Sequence, residues 1–397
     1  MKILIGATGC IAIYKVVGLV SSLRKAGHEL KIIMTESAQK LVSKTLFSAV
    51  GNCEVYTDED SFDVRNGWIP HTELSKWPDI LVVAPATANT IAKLANGFAD
   101  NLLTMVCLAY EKDRKLLIPA MNYRMYENQV TQYNLQAMKQ RGWWVLEPSV
   151  GHLACGESGR GRYPENEIVQ EAIYVLASEK PLKGMNLLIT AGPTWESIDP
   201  VRVLSNRSSG KMGYELAKVA VRLGANVTLV SGPTSLVAPY FVEDFVKVES
   251  ADQMYREVEK RFNRSDGVIM AAAVADYSPT KKSDIKIKKG ADKLNISFKK
   301  TVDILGELGR KKGEKILVGF AVESQSLEDY AIEKLKRKNL DMIVANQVDA
   351  MGSDKNTVLI IKKDGTLKRV GPDEKERIAL AVLTELADFW SRSRGNS

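Results

Sequence analysis

Short apolar runs alternate with longer stretches of helical spacing along the whole chain. In the first half, apolar runs at residues 2–5, 30–34 and 79–84 are each followed by a polar turn and then by a helical pattern. Three such units in succession predict a parallel sheet with helices on both faces, because right-handed crossovers return every strand in the same direction. The turns that follow these strands should therefore lie together along one edge of the sheet.

The second half repeats this pattern and adds an antiparallel ending. Its apolar runs predict strands at residues 187–190, 226–231, 246–250, 267–274, 316–322 and 341–348, with helices at 211–223, 251–262 and 327–338. Residues 356–370 turn at Asp364-Gly365 and predict a β-hairpin, and residues 373–394 predict an amphipathic helix. We expect this half to dimerise, because an antiparallel extension leaves an edge that a second subunit can pair with.

A charged segment separates the two halves. Residues 178–183 are rich in acids and lysine, and they contain Pro181 shortly before Gly184. A chain of 397 residues exceeds one ordinary core. We therefore predict two α/β domains, residues 1–179 and 184–397, each a doubly wound, Rossmann-like sheet with helices on both faces.

The polar loop between residues 190 and 211 stands out by its length. Its last residues are Asn206, Arg207, Ser208, Ser209 and Gly210, which crowd hydrogen-bonding groups just before a helix. Such a loop suits a phosphate, because the helix start exposes free N–H groups. It lacks Walker spacing, since Met212 follows Lys211. A polar, capped loop without a ligand is the alternative, and its length favours a functional role.

The composition is that of a globular protein, with 45% hydrophobic and 26% charged residues. No apolar run of about eighteen residues occurs, and the chain begins directly with a predicted strand. We therefore expect neither a membrane span nor a signal peptide, and we expect a cytoplasmic protein.

The cysteines and the net charge argue against further classes of protein. Cys10, Cys53, Cys107 and Cys155 form no C-x-x-C pair, which argues against zinc fingers and a disulfide framework. The net charge of +7 would suit nucleic acid, but lysines are interspersed with acids, as on a solvated surface. A basic cleft for small anionic substrates explains the charge equally well, and we predict no nucleic-acid partner.

Motifs in both halves resemble one known family. The run DPVRVLSNRSSGKMG (199–213) resembles the ligase half of the bifunctional phosphopantothenoylcysteine decarboxylase / phosphopantothenate-cysteine ligases of coenzyme A biosynthesis. The runs GATGCIAIYK (6–15), APATANTIAKLANGFADNLL (84–103) and PAMNYRMYEN (119–128) resemble the FMN-binding and substrate motifs of flavin-dependent cysteine decarboxylases. The resemblance covers nearly the whole chain and implies a flavodoxin-like flavoprotein domain followed by a nucleotide-binding ligase domain.

For the first half, the resemblance implies FMN-dependent decarboxylation of 4′-phosphopantothenoylcysteine to 4′-phosphopantetheine. Direct loss of CO2 would leave an unstabilised carbanion, and a flavin relieves this by first oxidising the carbon that bears the thiol. The implied FMN contacts are Gly6, Thr8, Gly9, Thr35, Ser37, Ala86, Thr87 and Asn89. The hydroxyls at helix starts are equally suited to capping those helices.

The resemblance also implies catalytic roles in this half. His71 assists the oxidation, Asn122 holds the substrate carboxylate or amide beside Met125, and Cys155 donates the final proton. A thiol is largely protonated at neutral pH and can therefore donate. From the residues alone, a structural histidine and an inert buried thiol remain the alternatives for His71 and Cys155.

Two residues in this half depart from the family pattern. The family commonly has Trp where this chain has Tyr126, and Gly where it has Cys10. We expect Tyr126 to keep an aromatic wall at the site. We expect Cys10 to add bulk beside the phosphate turn.

For the second half, the resemblance implies that 4′-phosphopantothenate attacks CTP to give an acyl-cytidylate, from which the amine of cysteine displaces CMP. A carboxylate needs this activation, and Mg2+ with nearby cations balances the phosphates. Asn206 and Arg202 would bind the acyl intermediate, and Lys286 of a basic run would assist activation. The implied nucleotide contacts are Asp276, Lys286, Phe320, Lys334 and Lys338. The metal ligands and the preference for CTP over ATP stay open.

The family further implies an assembly in which FMN sites are shared within trimers and ligase dimers link trimers into a dodecamer. Two other classes stay open from the residues alone. A pyridine-nucleotide reductase would fit two doubly wound domains, although neither half has the G-x-G-x-x-G turn with a following ribose-binding acid. A noncatalytic nucleic-acid or scaffold protein would depend on the +7 charge and would bind in a strongly salt-dependent way.

Overall fold

The computed structural model of the protein describes residues 1–64, 67–152, 156–288, 294–323, 327–347 and 355–395. The chain forms two compact units, Met1–Ser178 and Glu179–Ser397. Each unit has its own sheet and its own buried core. The two units are called unit 1 and unit 2 below.

Unit 1 is built on a six-stranded sheet. Its strands, and the two strands of a separate hairpin, are β1 (Lys2–Ala7), β2 (Glu29–Met34), β3 (Glu54–Tyr56), β4 (Ile80–Ala86), β5 (Lys115–Pro119), β6 (Trp143–Val145), β7 (Ser149–His152) and β8 (Ser158–Arg162). The sheet has the order β3-β2-β1-β4-β5-β6, and every neighbouring pair is parallel. The order reverses between β1 and β4, which is the point where doubly wound sheets open a crevice for ligands.

Helices cover both faces of this sheet. They are α1 (Ile13–Lys25), α2 (Glu36–Gln39), α3 (Lys44–Gly51), α4 (Pro70–Lys76), α5 (Ala88–Asn96), α6 (Leu102–Ala109), α7 (Tyr123–Glu127), α8 (Gln129–Gln140) and α9 (Asn166–Ala177). Every residue of β4 is buried, which explains its uninterrupted apolar sequence. β7 and β8 pair only with each other and form an antiparallel hairpin.

Unit 2 contains an eight-stranded sheet and two short ribbons. Its strands are β9 (Asn186–Ala191), β10 (Trp195–Ser197), β11 (Val203–Ser205), β12 (Asn226–Ser231), β13 (Asp244–Lys247), β14 (Gly267–Met270), β15 (Tyr277–Pro279), β16 (Phe298–Lys300), β17 (Ile316–Glu323), β18 (Met342–Gln347), β19 (Lys355–Lys362) and β20 (Leu367–Glu374). The sheet order is β13-β12-β9-β14-β17-β18-β19-β20, in which the first six strands are parallel and the last two are antiparallel.

The helices of unit 2 are α10 (Lys211–Arg222), α11 (Ala251–Phe262), α12 (Ile304–Lys311), α13 (Leu327–Arg337) and α14 (Lys375–Gly395). The predicted capping box at the start of α11 is present, since Ser250 Oγ accepts from the Gln253 N–H at 3.3 Å and Gln253 Oε1 accepts from the Ser250 N–H at 3.4 Å. No helix in the described part of the chain is long and apolar enough to cross a membrane.

The predicted fold class, two doubly wound α/β domains, is confirmed in both units. Two strand predictions were wrong in extent. The run at 246–250 pairs earlier, as β13, because Ser250 is the cap of the next helix. The run at 267–274 ends as a strand at Met270, since its last apolar residues belong to the turn that leaves the sheet.

Close packing of α10 on β9 depends on a glycine. A Cβ added at Gly213, in the first turn of α10, would lie 2.5 Å from the Ala191 Cβ and 3.0 Å from the Thr190 carbonyl oxygen. Neither backbone can move away without disturbing the parallel pairing of β9 with its two neighbours. Gly213 therefore allows the helix start to approach the carboxyl end of the central strand.

We predict that Gly213→Ala lowers the free energy of unfolding of unit 2 by about 1–3 kcal/mol, because overpacking outweighs the better helix propensity of alanine. Amide hydrogen exchange should rise in β9 and β14 and stay unchanged in the strands of unit 1. A matched control is Gly18→Ala in α1, where the added Cβ meets only the Asn166 side-chain amide at 3.1 Å. Equal amide exchange in β9 and β14 of the Gly213→Ala and Gly18→Ala variants would contradict this interpretation.

Candidate functional site

Two turns at the switch point of unit 1 are joined by one buried threonine. The hydroxyl of Thr8, which is 1% exposed, donates to the Pro85 carbonyl at 2.6 Å and accepts from the Thr87 N–H at 3.1 Å. Thr8 follows β1 and Thr87 follows β4. The hydrogen bonds therefore hold the two turns together at the place where the sheet order reverses.

The turn after β2 joins the same group. A Cβ added at Gly9 would lie 2.4 Å from the Ser37 Cβ, so only glycine allows these two turns to approach so closely. Ser37 and Asn89 are exposed near the starts of α2 and α5, whereas Gly6 and Ala86 are buried strand residues. The structure thus brings together the turns that carry the predicted cofactor contacts, and exposed hydroxyl and amide groups there suit a phosphate.

Two of the predicted hydroxyl ligands already cap helices. Thr35 Oγ1 accepts from the Ala38 N–H at 3.4 Å, and Thr87 Oγ1 accepts from the Thr90 N–H at 3.3 Å. These bonds satisfy the free donors of α2 and α5. Capping alone therefore accounts for both hydroxyls, which leaves the backbone N–H groups of the turns as the main features suited to a ligand.

A cavity of about 480 Å³ opens next to these turns. Its lining comes from three segments: the residues after β1, the residues after β5 and the β7–β8 hairpin; it includes Cys10, Tyr14, Met121, Asn122, His152 and Arg162. The hairpin is docked by Gly161, whose carbonyl accepts from the Met121 N–H at 3.0 Å. A cavity of this volume is within the usual range for small-molecule sites.

Asn122 lies where the cavity meets the hairpin. Its Oδ1 accepts from the Arg124 N–H at 2.9 Å and caps α7, while its Nδ2 lies 3.5 Å from Glu157 Oε2. Arg124 Nη2 donates to the other oxygen of Glu157 at 2.7 Å. An amide and a guanidinium here already hold one carboxylate, so the arrangement is able to bind a carboxylate.

The other predicted residues of this half lie elsewhere. His71 is half-buried in the first turn of α4, and Met125 is 50% exposed on α7. Neither is among the residues that line the cavity with Asn122. Cys155 lies outside the described residues. Within one chain, Asn122 lines the cavity and His71 does not.

The two departures from the family pattern have different outcomes. Cys10 lines the cavity, and burial raises the pKa of its thiol. Tyr126 was predicted to form an aromatic wall, and this was wrong. Its ring is 4% exposed within the core and its hydroxyl donates to Glu147, because a phenol satisfies its polar end inside the protein.

In unit 2, Asn206 reaches from the long loop to the turn after β14. Its Nδ2 donates to the carbonyls of Ala273 at 3.0 Å and Val274 at 3.3 Å. The next residue of that turn, Ala275, donates its N–H to Thr194 Oγ1 at 3.0 Å and accepts from Thr301 Oγ1 at 2.6 Å. Polar side chains from three segments therefore shape the turn that leads to the exposed Asp276.

The remaining predicted nucleotide residues lie on β17 and at the end of α13. Lys334 Nζ donates to the Phe320 carbonyl at 2.8 Å. Lys338 pairs with Asp303, the N-cap residue of α12. Burial lowers the pKa of Lys338, and the charge of Asp276 opposes that shift.

Arg202 and Lys286 are connected through the backbone. Arg202 donates from Nε to Asp199 Oδ2 at 2.9 Å and from Nη2 to the Ile287 carbonyl at 2.9 Å. Lys286 is the residue before Ile287 and is exposed. No cluster of three or more His, Cys, Asp or Glu side chains that could hold a metal occurs in the described ranges.

Comparisons with known proteins match both units. A family model described as Flavoprotein matches residues 1–178, and one described as DNA/pantothenate metabolism flavoprotein C-terminal domain matches residues 182–389. The chain is 46% identical over 394 residues to the coenzyme A biosynthesis bifunctional protein CoaBC of Bacillus subtilis (strain 168), with 97% of this chain and 96% of that protein covered.

The chain belongs to this family of bifunctional coenzyme A biosynthesis proteins. The predicted resemblance is thereby confirmed, and so is the predicted function of a bifunctional enzyme with a decarboxylase half and a ligase half.

Two solved structures are also similar to parts of this bifunctional coenzyme A biosynthesis protein. The C-terminal domain of a coenzyme A biosynthesis bifunctional protein CoaBC is 43% identical, covers 54% of this chain and 100% of its own, and has a TM-score of 0.48. A PPC decarboxylase mutant complexed with pantothenoylaminoethenethiol is 30% identical, covers 43% of this chain and 95% of its own, and has a TM-score of 0.41.

The contacts of three carboxylates in this bifunctional protein are not predicted from the sequence. Asp303 could have been found, since an acid directly before an apolar helical run is a typical N-cap. Asp199 precedes Pro200, which is a turn signal, but its ion pair with Arg202 was not foreseen. Glu157 lies in a glycine-rich segment and carries no signal in the sequence.

Proposed function

We propose that unit 2 joins 4′-phosphopantothenate to cysteine at the expense of CTP and that unit 1 then decarboxylates the product to 4′-phosphopantetheine with FMN. The observation that carries this proposal is where the residues of the family motifs lie in the two sheets. In each unit, residues of the family motifs lie on turns that leave the sheet where its strand order reverses, which is where doubly wound folds bind ligands.

The residues of unit 1 fit FMN. The turns after β1, β2 and β4 offer N–H groups and small side chains for the phosphate, and the adjoining cavity accepts a flat ring and a substrate. The proposed contacts are Gly6, Thr8, Gly9, Thr35, Ser37, Ala86, Thr87 and Asn89. FMN bound there supplies the two-electron oxidation that makes loss of CO2 possible.

The substrate residues of unit 1 then have separate tasks. Asn122 holds the substrate carboxylate or amide, with Met125 beside it, and the contacts of Asn122 and Arg124 with the carboxylate of Glu157 support this role. His71 assists oxidation of the thiol-bearing carbon, and Cys155 donates the final proton.

We further propose that subunits share the decarboxylase site. The absence of His71 from the residues that line the cavity with Asn122 in the same chain supports a site completed by a second subunit. Trimers of unit 1 linked by dimers of unit 2 into a dodecamer provide such a second subunit. We place the assembly in the cytoplasm, with small molecules as its only substrates.

In unit 2, the substrate carboxylate attacks the α-phosphorus of CTP and pyrophosphate leaves. The cysteine amine then attacks the acyl carbon, CMP leaves with the electron pair of the broken C–O bond, and the amine loses a proton. Lys286 balances the phosphate charge during activation, and a Mg2+ ion bound with the nucleotide would add to this charge compensation. Asn206 and Arg202 bind the acyl intermediate, and Asp276, Phe320, Lys334 and Lys338 hold the nucleotide.

The visible absorption spectrum of the purified protein, before and after incubation with FMN, tests the flavin assignment. We expect stoichiometric FMN. Thr8→Val should weaken FMN binding by about tenfold, or ~1.4 kcal/mol, because the Thr87 N–H and the Pro85 carbonyl lose their shared partner. Thr8→Ser keeps the hydroxyl and should bind FMN normally. A native protein that binds no FMN under either condition would refute the decarboxylase assignment.

Lys286→Gln tests whether the two activities occupy separate sites. Removing one preorganised donor that faces a developing negative charge costs roughly 10²–10³ in rate, so ligation should fall by about this factor while decarboxylation is unchanged. Lys282→Gln, an exposed lysine of the same basic stretch, should retain ligation. Parallel loss of both activities in Lys286→Gln would contradict the two-site proposal.

Asn206→Asp tests the second step of ligation. A carboxylate would face the carbonyl oxygens of Ala273 and Val274 and repel both, so aminolysis should slow more than activation. Rapid-quench assays should show acyl-nucleotide accumulating with a burst of pyrophosphate and little CMP. Asn226→Asp, at the amino end of β12, is the matched control. Normal turnover without any accumulation would count against this role of Asn206.

A further inference from the structure

The turn at residues 198–202 is fastened to a second segment of unit 2. The Ile198 carbonyl accepts from the Ser283 N–H at 3.0 Å, Asp199 Oδ2 accepts from the Ile287 N–H at 3.1 Å, and Arg202 Nη2 donates to the Ile287 carbonyl at 2.9 Å. Both backbone groups of Ile287 are therefore bound. Ile287 lies directly between Lys286 and Lys288, which are exposed.

Asp199 is the centre of this connection. Its side chain is 0% exposed, and its Oδ1 accepts from the backbone N–H groups of Val201 at 2.9 Å and Arg202 at 2.8 Å. Its Oδ2 accepts from the Arg202 guanidinium and from Ile287. The Arg202 guanidinium, followed by these backbone donors, holds the pKa of the Asp199 carboxyl well below its usual range.

These bonds use the acceptor capacity of the carboxylate. An ionised carboxylate offers about four lone-pair sites, and the donors of the 199–202 turn together with Ile287 fill them. Asp199 is thus suited to hold protein groups in place and unsuited to bind a substrate. A buried charge that is this fully paired is also costly to disturb.

We propose that Asp199 is a positioning residue of the ligase: through Arg202 and the backbone of Ile287, it holds Lys286 at the site of nucleotide activation. This inference rests on the proposed role of Lys286. It assigns a function to Asp199 and a second function to Arg202, because the Arg202 guanidinium also donates to the carbonyl of Ile287, next to Lys286.

The physical advantage is preorganisation. A lysine on an untethered segment loses backbone and side-chain freedom when it meets a phosphate, and that entropy is subtracted from the stabilisation it provides. The two hydrogen bonds at Ile287 restrict the backbone next to Lys286 before the substrate binds. Most of the backbone entropy is therefore lost before binding. The charge of Lys286 then acts mainly on the reacting groups.

Asp199→Asn is the main test. It preserves the size of the side chain but places an amide donor against the donors of Arg202 or Ile287. We expect ligation to fall by about tenfold or more in kcat/KM for CTP, with decarboxylation unchanged. Amide exchange at Ile287 should accelerate in the substrate-free variant. Asp199→Glu, which keeps the carboxylate, should recover part of the ligase activity.

A double-mutant cycle with Lys286→Gln separates positioning from a general structural role. If Asp199 acts through Lys286, adding Asp199→Asn to Lys286→Gln should cost little further ligation. Additive losses would overturn the inference, as would unchanged ligation in Asp199→Asn or equal loss of both enzymatic activities.

Arg202→Lys provides a second route if Asp199→Asn folds poorly. It keeps the positive charge but lacks the fork that reaches both Asp199 and Ile287, so amide exchange at Ile287 should accelerate in the substrate-free variant, and unchanged exchange there would overturn the inference. Undiminished ligation in the single variant Lys286→Gln would instead refute the proposed role of Lys286 itself, so the two failures are distinguishable.

Discussion

Parallel pairing of one central strand with two neighbours is the constraint on which both sites depend. β1 lies between β2 and β4, and β9 lies between β12 and β14. Because crossovers are right-handed, the connections on the two sides of the central strand run over opposite faces of the sheet. A crevice is left at the carboxyl end of that strand. The polar turns that carry the family motifs leave the sheet at this edge in each unit.

The turns at these edges keep their shape through side chains that bond to backbone groups. In unit 1, Thr8 serves the turn after β4, and in unit 2, Asn206 serves the turn after β14. Backbone groups outside regular structure need such partners when water is excluded. A threonine or asparagine at these positions therefore shapes the site even where it touches no ligand.

In unit 2, two cations of the candidate site are paired with carboxylates, one close in sequence and one distant. Lys338 pairs with Asp303, and Arg202 pairs with the buried Asp199. An anion that binds near Lys338 competes with Asp303 for the ammonium, so binding exchanges one ionic partner for another. Such an exchange makes binding specific for an anion but adds only moderately to the free energy of binding.

The amino-acid sequence by itself determined the fold class, the order of the strands along the chain and the turns that carry polar residues, because apolar periodicity and capping act over a few neighbouring residues. The motif runs also sufficed to name the family. Only the tertiary structure decided that Tyr126 is a core residue, that Glu157 meets Asn122 and that Asp199 reaches Ile287. These contacts join residues far apart in sequence or depend on which way one side chain turns, and no local pattern encodes either.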